Sequence, residues 1–276
     1  MEKCRDAVAI ESIPSMSQAS SSSHAASTYE VRKLDKSEYK QAGLCLAQAF
    51  KDDDVAMYFI KTGDRPKWTP EDEWNLHLHI MECLAYAHCL KGSAFVIGPN
   101  YDCVALWYFP TSFLIDYETK QDRLPPGGNI DGFCTLLRSG LMRLNFKLSK
   151  EGKKRFFTEF IPLLHNTKHE VLGEDDDDSW YLVYIGTKPD SRGKGYARAL
   201  IEHVTKLADR DNRTSYLECS NPMNLKLYGR LGFKFVKKIC LNRGEKPVEM
   251  DIMTRPSMTA QLAGKTVGFG ARDITK

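Results

Sequence analysis

At 276 residues, with 42% hydrophobic and 27% charged side chains, the chain has enough apolar surface to bury one sizeable core, which excludes gross disorder. Its 39 basic and 36 acidic residues leave a formal charge of +3, too balanced for a protein built to neutralise a phosphate backbone, so no nucleic acid partner is expected. The eight cysteines (Cys4, Cys45, Cys83, Cys89, Cys103, Cys134, Cys219 and Cys240) form no C-x-x-C pair and no cluster with histidine at zinc-ligand spacing. They read as reduced thiols, and nothing in the sequence requires a metal.

Met1 to Pro14 mixes charged and apolar residues without the continuous apolar stretch of a secretory signal, and no later apolar run approaches the ~20 residues of a membrane span. The expected location is therefore cytoplasmic, with the nucleus as the other reading, and no membrane partner is expected. Residues 15–28 are a Ser/Ala run with nothing to pack, so 1–28 reads as a disordered tail and the domain spans 29–256. Tyr29, Val31 and Leu34 suggest a first strand. A helix follows from Asp35, with Ala42, Leu46, Ala49 and Phe50 at helical spacing. Pro70 sits where a helix begins, and Glu71 to Leu90 places Trp74, Leu78, Met81, Leu84 and Ala85 on one side. Strands at Ala94 to Ile97 and Cys103 to Phe109 are joined by the Gly98-Pro99-Asn100 turn.

From Pro110 to Gly173 the pattern is helical, interrupted at Pro125-Pro126-Gly127-Gly128. Its apolar repeats run through Phe133, Leu136, Leu137 and Leu141, then Phe156, Phe160, Leu163 and Leu164, which predicts a helical insertion. Glu174 to Asp178 should be a loop, because adjacent like charges repel. Then come Trp180 to Ile185, Gly193 to Arg210, Ser215 to Cys219, Met223 to Leu231, Phe233 to Leu241 and Val248 to Met253, an order β-α-β-α-β-β that ends on an antiparallel pair. Residues 257–276 read as a flexible tail.

The informative stretch is the apolar strand that ends at Pro189 and passes through Arg192-Gly193-Lys194-Gly195 into a helix at Tyr196 and Ala197. A strand that delivers a Gly-rich turn to a helix N-terminus leaves backbone N–H groups unpaired, and the helix dipole favours a phosphate there. Arg192 and Lys194 add positive charge. No G-x-x-x-x-G-K-[ST] occurs, and the third glycine of a dinucleotide fingerprint is missing, so the ligand is a phosphate carrier other than ATP or NAD.

These residues resemble the GNAT N-acetyltransferases, whose motif [QR]-x-x-G-x-[GA] is matched by Arg192, Gly195 and Ala197. About thirty residues on, Glu218 to Phe233 resembles the family's second half, where an Asn precedes a helix that ends in Tyr-x-x-x-Gly-Phe, here Tyr228 to Phe233. The resemblance implies an α/β (α+β) fold with a central mixed, mostly antiparallel twisted sheet, splayed between its fourth and fifth strands and flanked by helices. It also implies acetyl-CoA as cosubstrate. Backbone groups of Ile185, Gly186 and Thr187 would hold the pantetheine arm, the turn from Arg192 through Gly193, Lys194, Gly195 and Tyr196 to Ala197 would hold the pyrophosphate, and Asn221 and Asn224 would contact the cofactor. Tyr228 would protonate the leaving thiolate, and Glu218 is the candidate base, directly or through water.

The Trp180-Tyr181-Leu182 opening and the spacing from Leu217 to Tyr228 look most like the branch that includes puromycin N-acetyltransferase. The expected acceptor is a primary amine of a small molecule such as an antibiotic, polyamine or amino compound, with the chain acting as a monomer or homodimer. Two alternatives stand beside it: a protein acetyltransferase acting on lysine or an N-terminus, and a non-catalytic acyl-CoA-binding regulator. Tyr184 and Trp180 are candidates to line the acceptor site, though a strand aromatic is commonly core. His165 and His169 share a helix side but lack a third ligand, and read as surface histidines. Cys219 reads as a buried thiol, not a nucleophile.

Overall fold

In a computed structural model, which describes residues 30–110, 140 and 144–262, the chain opens with a two-residue strand, β1 (Arg32–Lys33), and a 3-10 turn at Lys36–Glu38 that leads into α1 (Tyr39–Ala49). Asp35 fixes that junction. Its carboxylate accepts from the Ser37 amide at 2.8 Å, while Glu38 accepts from the Asp35 amide at 2.8 Å, a reciprocal cap that satisfies amides a helix start leaves unpaired. A short helix that the sequence reading missed, α2 (Asp54–Tyr58), is capped by Asp53. α3 (Pro70–Leu90) begins with Pro70 in its first turn and a Thr69–Asp72 capping box.

The strands β2 (Ala94–Ile97), β3 (Cys103–Tyr108), β4 (Trp180–Thr187), β5 (Ser215–Cys219), β6 (Lys234–Leu241) and β7 (Val248–Arg255) join β1 in one seven-stranded sheet of order β1-β2-β3-β4-β5-β7-β6. Every neighbouring pair is antiparallel except β4–β5. Parallel strands need a crossover. The described part of the insertion is helical, with α4 (Leu144–Lys147), α5 (Lys150–Lys153), a π-helical stretch at Lys154–Phe160 and α6 (Ile161–Leu172). The β4–β5 crossover is α7 (Tyr196–Arg210). Beyond β5 come a 3-10 turn at Pro222–Asn224, α8 (Leu225–Arg230) and, after β7, α9 (Met258–Leu262).

Several expected boundaries move. The helix expected from Gly193 starts at Tyr196, because Gly193 and Gly195 take φ of 79° and 81°, a left-handed backbone no α-helix accommodates. Tyr29, the apolar repeats from Phe133 to Leu137, Leu141, the Pro125 to Gly128 break and both predicted tails, apart from residues 257–262, lie outside the described residues. α3 was expected to bury one side and buries two. Met81, Ala85 and Cys89 pack with α1, whereas Leu76 and Ile80 pack with α2 and the insertion, because the helix lies between them. α1 and α3 touch at the backbone: a Cβ on Gly43 would lie 2.7 Å from the Glu82 Cα.

The two faces of the sheet are covered differently. α7 and α8 pack over Trp107, Trp180, Leu182, Leu217 and Cys219 on one face. On the other, α1 and α3 cover Val104 and Leu106, while α2 and the insertion cover Tyr216, Ile252 and Met250. Among the described residues no helix is long and apolar enough to cross a membrane.

Candidate active site

β4 and β5 run side by side for only three residues, Trp180, Tyr181 and Leu182 against Ser215, Tyr216 and Leu217. Past that point β4 stays bonded to β3, and β5 to β7. The separation has a local cause. Leu106 pairs with Tyr184 and Trp107 with Leu182, so Val183 is an extra residue, a bulge immediately after the last β4–β5 pair. A bulge bends and twists its strand and shifts its alternation by one. Tyr184 therefore looks to the same face as Tyr181, toward α1 and Phe50, whose ring it meets edge-on at 5.3 Å.

A cavity of about 1060 Å³ opens at this gap. Its lining includes Ile185 from β4, Glu218 and Cys219 from β5, and Tyr228 from α8. Side chains alternate along a strand, so Leu217 and Cys219 face the α7 layer, whereas Tyr216 and Glu218 face the insertion. Tyr228 packs in the α7 layer, its ring 6.0 Å from that of Phe233. Tyr228 and Glu218 thus lie on opposite faces of the sheet yet line one cavity, which places that cavity through the gap between the strands.

The electrostatics of the two differ. Burial, then the nearby Cys219 and Cys103 thiols, push the Tyr228 phenol well above its usual range, so it keeps its proton at working pH. Burial pushes Glu218 up to about 7, against the pull of the Tyr181 and Tyr216 hydroxyls, which favour the carboxylate. Those tyrosines are paired across β4 and β5, with ring centroids 5.4 Å apart. Glu218 Oε1 and the Tyr216 hydroxyl are buried and have no hydrogen-bond partner among the described residues. An orphaned carboxylate oxygen with a value near neutrality is suited to taking a proton from a ligand in the cavity.

The turn after β4 lies on the surface at the end of the strand that borders the gap. Among the described residues the amides of Gly193, Lys194 and Gly195 donate to no acceptor, and Gly195 caps α7 in the left-handed conformation. Both glycines have open space where a Cβ would stand. The turn is braced from below: Ser191 donates to Asp102 Oδ1 at 2.8 Å, and the Arg192 guanidinium reaches the Ala49 carbonyl at 3.4 Å. Three amides without an acceptor among the described residues, at a helix N-terminus beside Arg192 and Lys194, have the chemistry to receive an anion. Tyr196 is buried and Ala197 partly so, both packed on the α7-side core.

The remaining sequence-predicted residues fall unevenly. Asn224 lines the cavity; Asn221 does not, and its Oδ1 accepts from the Met223 amide at 3.0 Å to cap the 3-10 turn. Gly186 sits under α1, its carbonyl taking the Cys45 thiol at 3.5 Å, and Thr187 donates to Cys103 Sγ at 3.1 Å. Trp180 is core against Phe109, whereas Tyr184 lines the cavity. The Cys219 thiol donates to the Asn221 carbonyl and is pushed up to about 11 by burial, which leaves it inert. The acidic loop folds onto its own cations, Asp176 against Lys168 and His169, and Asp178 against Arg213. His165 and His169 are both exposed, and no metal-binding group of His, Cys, Asp or Glu occurs among the described residues.

Sequence reasoning missed Asp53, Ser220 and the phenylalanines of the π stretch. Ser220 donates to Asp53 Oδ2 at 2.6 Å, and both line the cavity. A contact across 167 positions leaves no local trace. Tyr216 was within reach, because strand alternation from Glu218 puts it on the same face.

A gap bordered on one side by a turn of unpaired amides, and on the other by an apolar chamber, suits acyl transfer from a phosphate-bearing carrier, and the protein is an acyltransferase. The acetyltransferase (GNAT) family profile matches residues 163–233. An uncharacterized N-acetyltransferase of Schizosaccharomyces pombe is 36% identical over 232 residues, covering 84% of this chain and 85% of that protein. The chain belongs to the GNAT family of N-acetyltransferases, enzymes that use acetyl-CoA as cosubstrate. Solved structures are more distant. A protein described as histone acetyltransferase HPA2 and related acetyltransferase, from Corynebacterium glutamicum, is 19% identical with a TM-score of 0.49, covering 83% of this chain and 96% of that one. A mosquito arylalkylamine N-acetyltransferase-like protein is 13% identical with a TM-score of 0.47, covering 83% and 100%.

Proposed function

We propose that this enzyme transfers acetyl from acetyl-CoA directly to the primary amine of a small molecule. The observation that carries this reading is the cavity through the β4–β5 gap, with Tyr228 on one face and Glu218 on the other. The turn from Arg192 to Ala197 takes the pyrophosphate. Past Leu182 the edge of β4 that faces β5 has no strand partner, so Ile185 and Thr187 offer backbone groups to the pantetheine arm and to the thioester oxygen, where charge grows as the amine attacks. Asn224, in the cavity wall, faces the cofactor, and Asn221 contributes the shape of the turn that presents it.

In the transfer, Glu218 takes one proton from the acceptor ammonium, and the freed lone pair bonds to the thioester carbonyl carbon. The C–S bond breaks, the departing thiolate takes the Tyr228 proton, and the second proton, then lost by the acylated nitrogen, restores the one Tyr228 gives up. The products are the N-acetyl amine and free CoA. Among small amines, the Leu217 to Tyr228 spacing supports the branch that includes puromycin N-acetyltransferase. The cavity is roofed by the insertion, which favours a small acceptor over a protein chain. We place the catalytic domain at 29–256 and the enzyme in the cytoplasm.

A thiol-release assay with acetyl-CoA and a panel of amines, run beside calorimetric CoA binding, tests this. Turnover on a small amine is expected; CoA binding without turnover on any amine would favour a non-catalytic regulator, and no CoA binding would remove the reading altogether. The anion turn has its own test. An alanine at Gly195 meets no atom but must hold a φ of 81°, strained by ~1–2 kcal/mol for an L residue. Relaxing that strain turns the amides away from the phosphate. Gly195→Ala is expected to raise KM for acetyl-CoA about tenfold, the equivalent of ~1.4 kcal/mol of binding, with kcat little changed in steady-state kinetics.

A further inference from the structure

The chamber beyond Glu218 has a wall of unusual construction. The backbone from Lys154 to Phe160 is π-helical, and its end is marked by the Ile161 amide donating to the Phe156 carbonyl five residues back. Such stretches are intrinsically less stable than α-helix and collect at functional sites. Three of its seven residues are phenylalanines, and all three line the cavity. With Phe59 of α2 they form a packed set: Phe59 meets Phe156 edge-on at 5.1 Å and Phe160 at 4.8 Å, and Phe156 meets Phe157 edge-on at 4.9 Å. Phe157 nonetheless leaves 43% of its surface uncovered, and the adjoining Ile161 leaves 46%. Phe157 and Ile161 thus present surface that no described residue covers, over a base formed by the buried Phe59 and Phe160.

The charges in the chamber narrow what can occupy it. Its lining holds four carboxylates, Asp53, Asp176, Asp177 and Glu218, against one ammonium, Lys168. Lys168 is bound by Asp176, and the other basic groups in the lining are the imidazoles of His77 and His165, so no lysine or arginine is left to pair with an acceptor carboxylate. Asp53 already accepts from Ser220 and from the Ala56 amide, and Asp176 is held by Lys168 and His169. That leaves Glu218 for the reacting amine, Asp53 braced by neutral donors only, and Asp177 exposed.

We propose that the acceptor is a primary amine carried on an aromatic body, one alkyl link from the ring and without a carboxylate of its own. The ring lies against Phe156, Phe157 and Phe160, where offset or edge contacts favour an aromatic partner over an aliphatic chain. The amine reaches Glu218 from that wall. An amino acid with the same ring brings a carboxylate into an acidic chamber. A polyamine has no ring to set against the phenylalanines, and an aminoglycoside brings many hydroxyls to an apolar wall. This inference rests on the acetyl-transfer reading above and names the substrate class of that site.

The test uses the full chain with saturating acetyl-CoA and four kinds of acceptor: phenethylamine and tryptamine, the matching amino acids phenylalanine and tryptophan, spermidine, and kanamycin. kcat/KM for the aryl-alkyl amines is expected to exceed each of the others at least tenfold. Phe157→Ala, at an exposed ring whose loss leaves the core intact, is expected to raise KM for tryptamine about tenfold or more while KM for acetyl-CoA holds, and Phe157→Trp is expected to restore it. Preference for spermidine, kanamycin or the amino acids overturns the proposal, as does an unchanged tryptamine KM in Phe157→Ala. If no amine turns over, calorimetric binding of tryptamine to the CoA-loaded protein separates the two readings. Binding weakened by Phe157→Ala keeps the substrate class and overturns the transfer reading, whereas no binding overturns the substrate class.

Discussion

Tyr228→Phe is expected to lower kcat by roughly 10²-fold while leaving CoA affinity within about twofold of the parent, since a positioned general acid contributes about that much and the ring stays in place. The substitution removes one oxygen from a side chain that is 6% exposed and packed on Phe233, so the fold has little reason to change. Phenol acidity is the point of the experiment. Because burial holds Tyr228 well above its ordinary range, the wild-type enzyme should show no loss of activity at alkaline pH from this group. The measurement is single-turnover acetyl transfer beside calorimetric CoA binding. An unchanged rate would remove Tyr228 as the acid, and lost CoA binding would make it a structural residue of the cofactor site.

Glu218→Gln is expected to separate activity from stability. As the base, Glu218 must be ionised, so wild-type kcat/KM should rise with pH up to about 7 and then level, once the acceptor's own ionisation is allowed for. The glutamine variant should lose roughly 10²- to 10⁴-fold and lose that limb. Stability moves the other way. The folded-state value near 7 is above the usual 4.5, so between those values the unfolded chain releases a proton the native protein keeps. Native stability therefore falls as pH rises through that window, and the penalty is complete above 7. A neutral glutamine escapes it. Glu218→Gln should be more stable than wild type by ~1–2 kcal/mol at pH 8, allowing for the part of the side chain open to the cavity, and about equal at pH 4. Thermal or urea unfolding at the two pH values checks this; a variant less stable at pH 8 would make Glu218 a structural carboxylate.

That both residues border one cavity agrees with where the sequence motif set them, and part of the reason is local. Glu218 is the penultimate residue of a short apolar strand, and Tyr228 sits on the helix just before Gly232-Phe233, so each lies in an element that its own segment specifies. The same holds for the turn from Arg192 to Ala197, because positive φ at Gly193 and Gly195 is a property of those glycines and of the helix start that follows. Asn221 shows the limit of that reading. Its place in the motif was visible, but that its side chain turns back to the Met223 amide and away from the cavity depends on the conformation of the turn.

What the sequence determined by itself was therefore most of the order of strands and helices and the left-handed glycine turn that starts α7, fixed by period, caps and glycine backbone. What only the tertiary structure decided was how these meet. The bulge at Val183 separates β4 from β5 and turns Tyr184 toward the face of Tyr181, although nothing in the apolar run from Trp180 to Ile185 marks Val183 as the extra residue. The phenylalanines of the insertion read as ordinary helical core, and became a cavity wall because the backbone there opens to π-helix over α2. Asp53 and Ser220 come together from opposite ends of the domain. Local propensity sets a residue's backbone, but a cavity is defined by surfaces brought together from distant parts of the chain, and no window of sequence contains more than one of them.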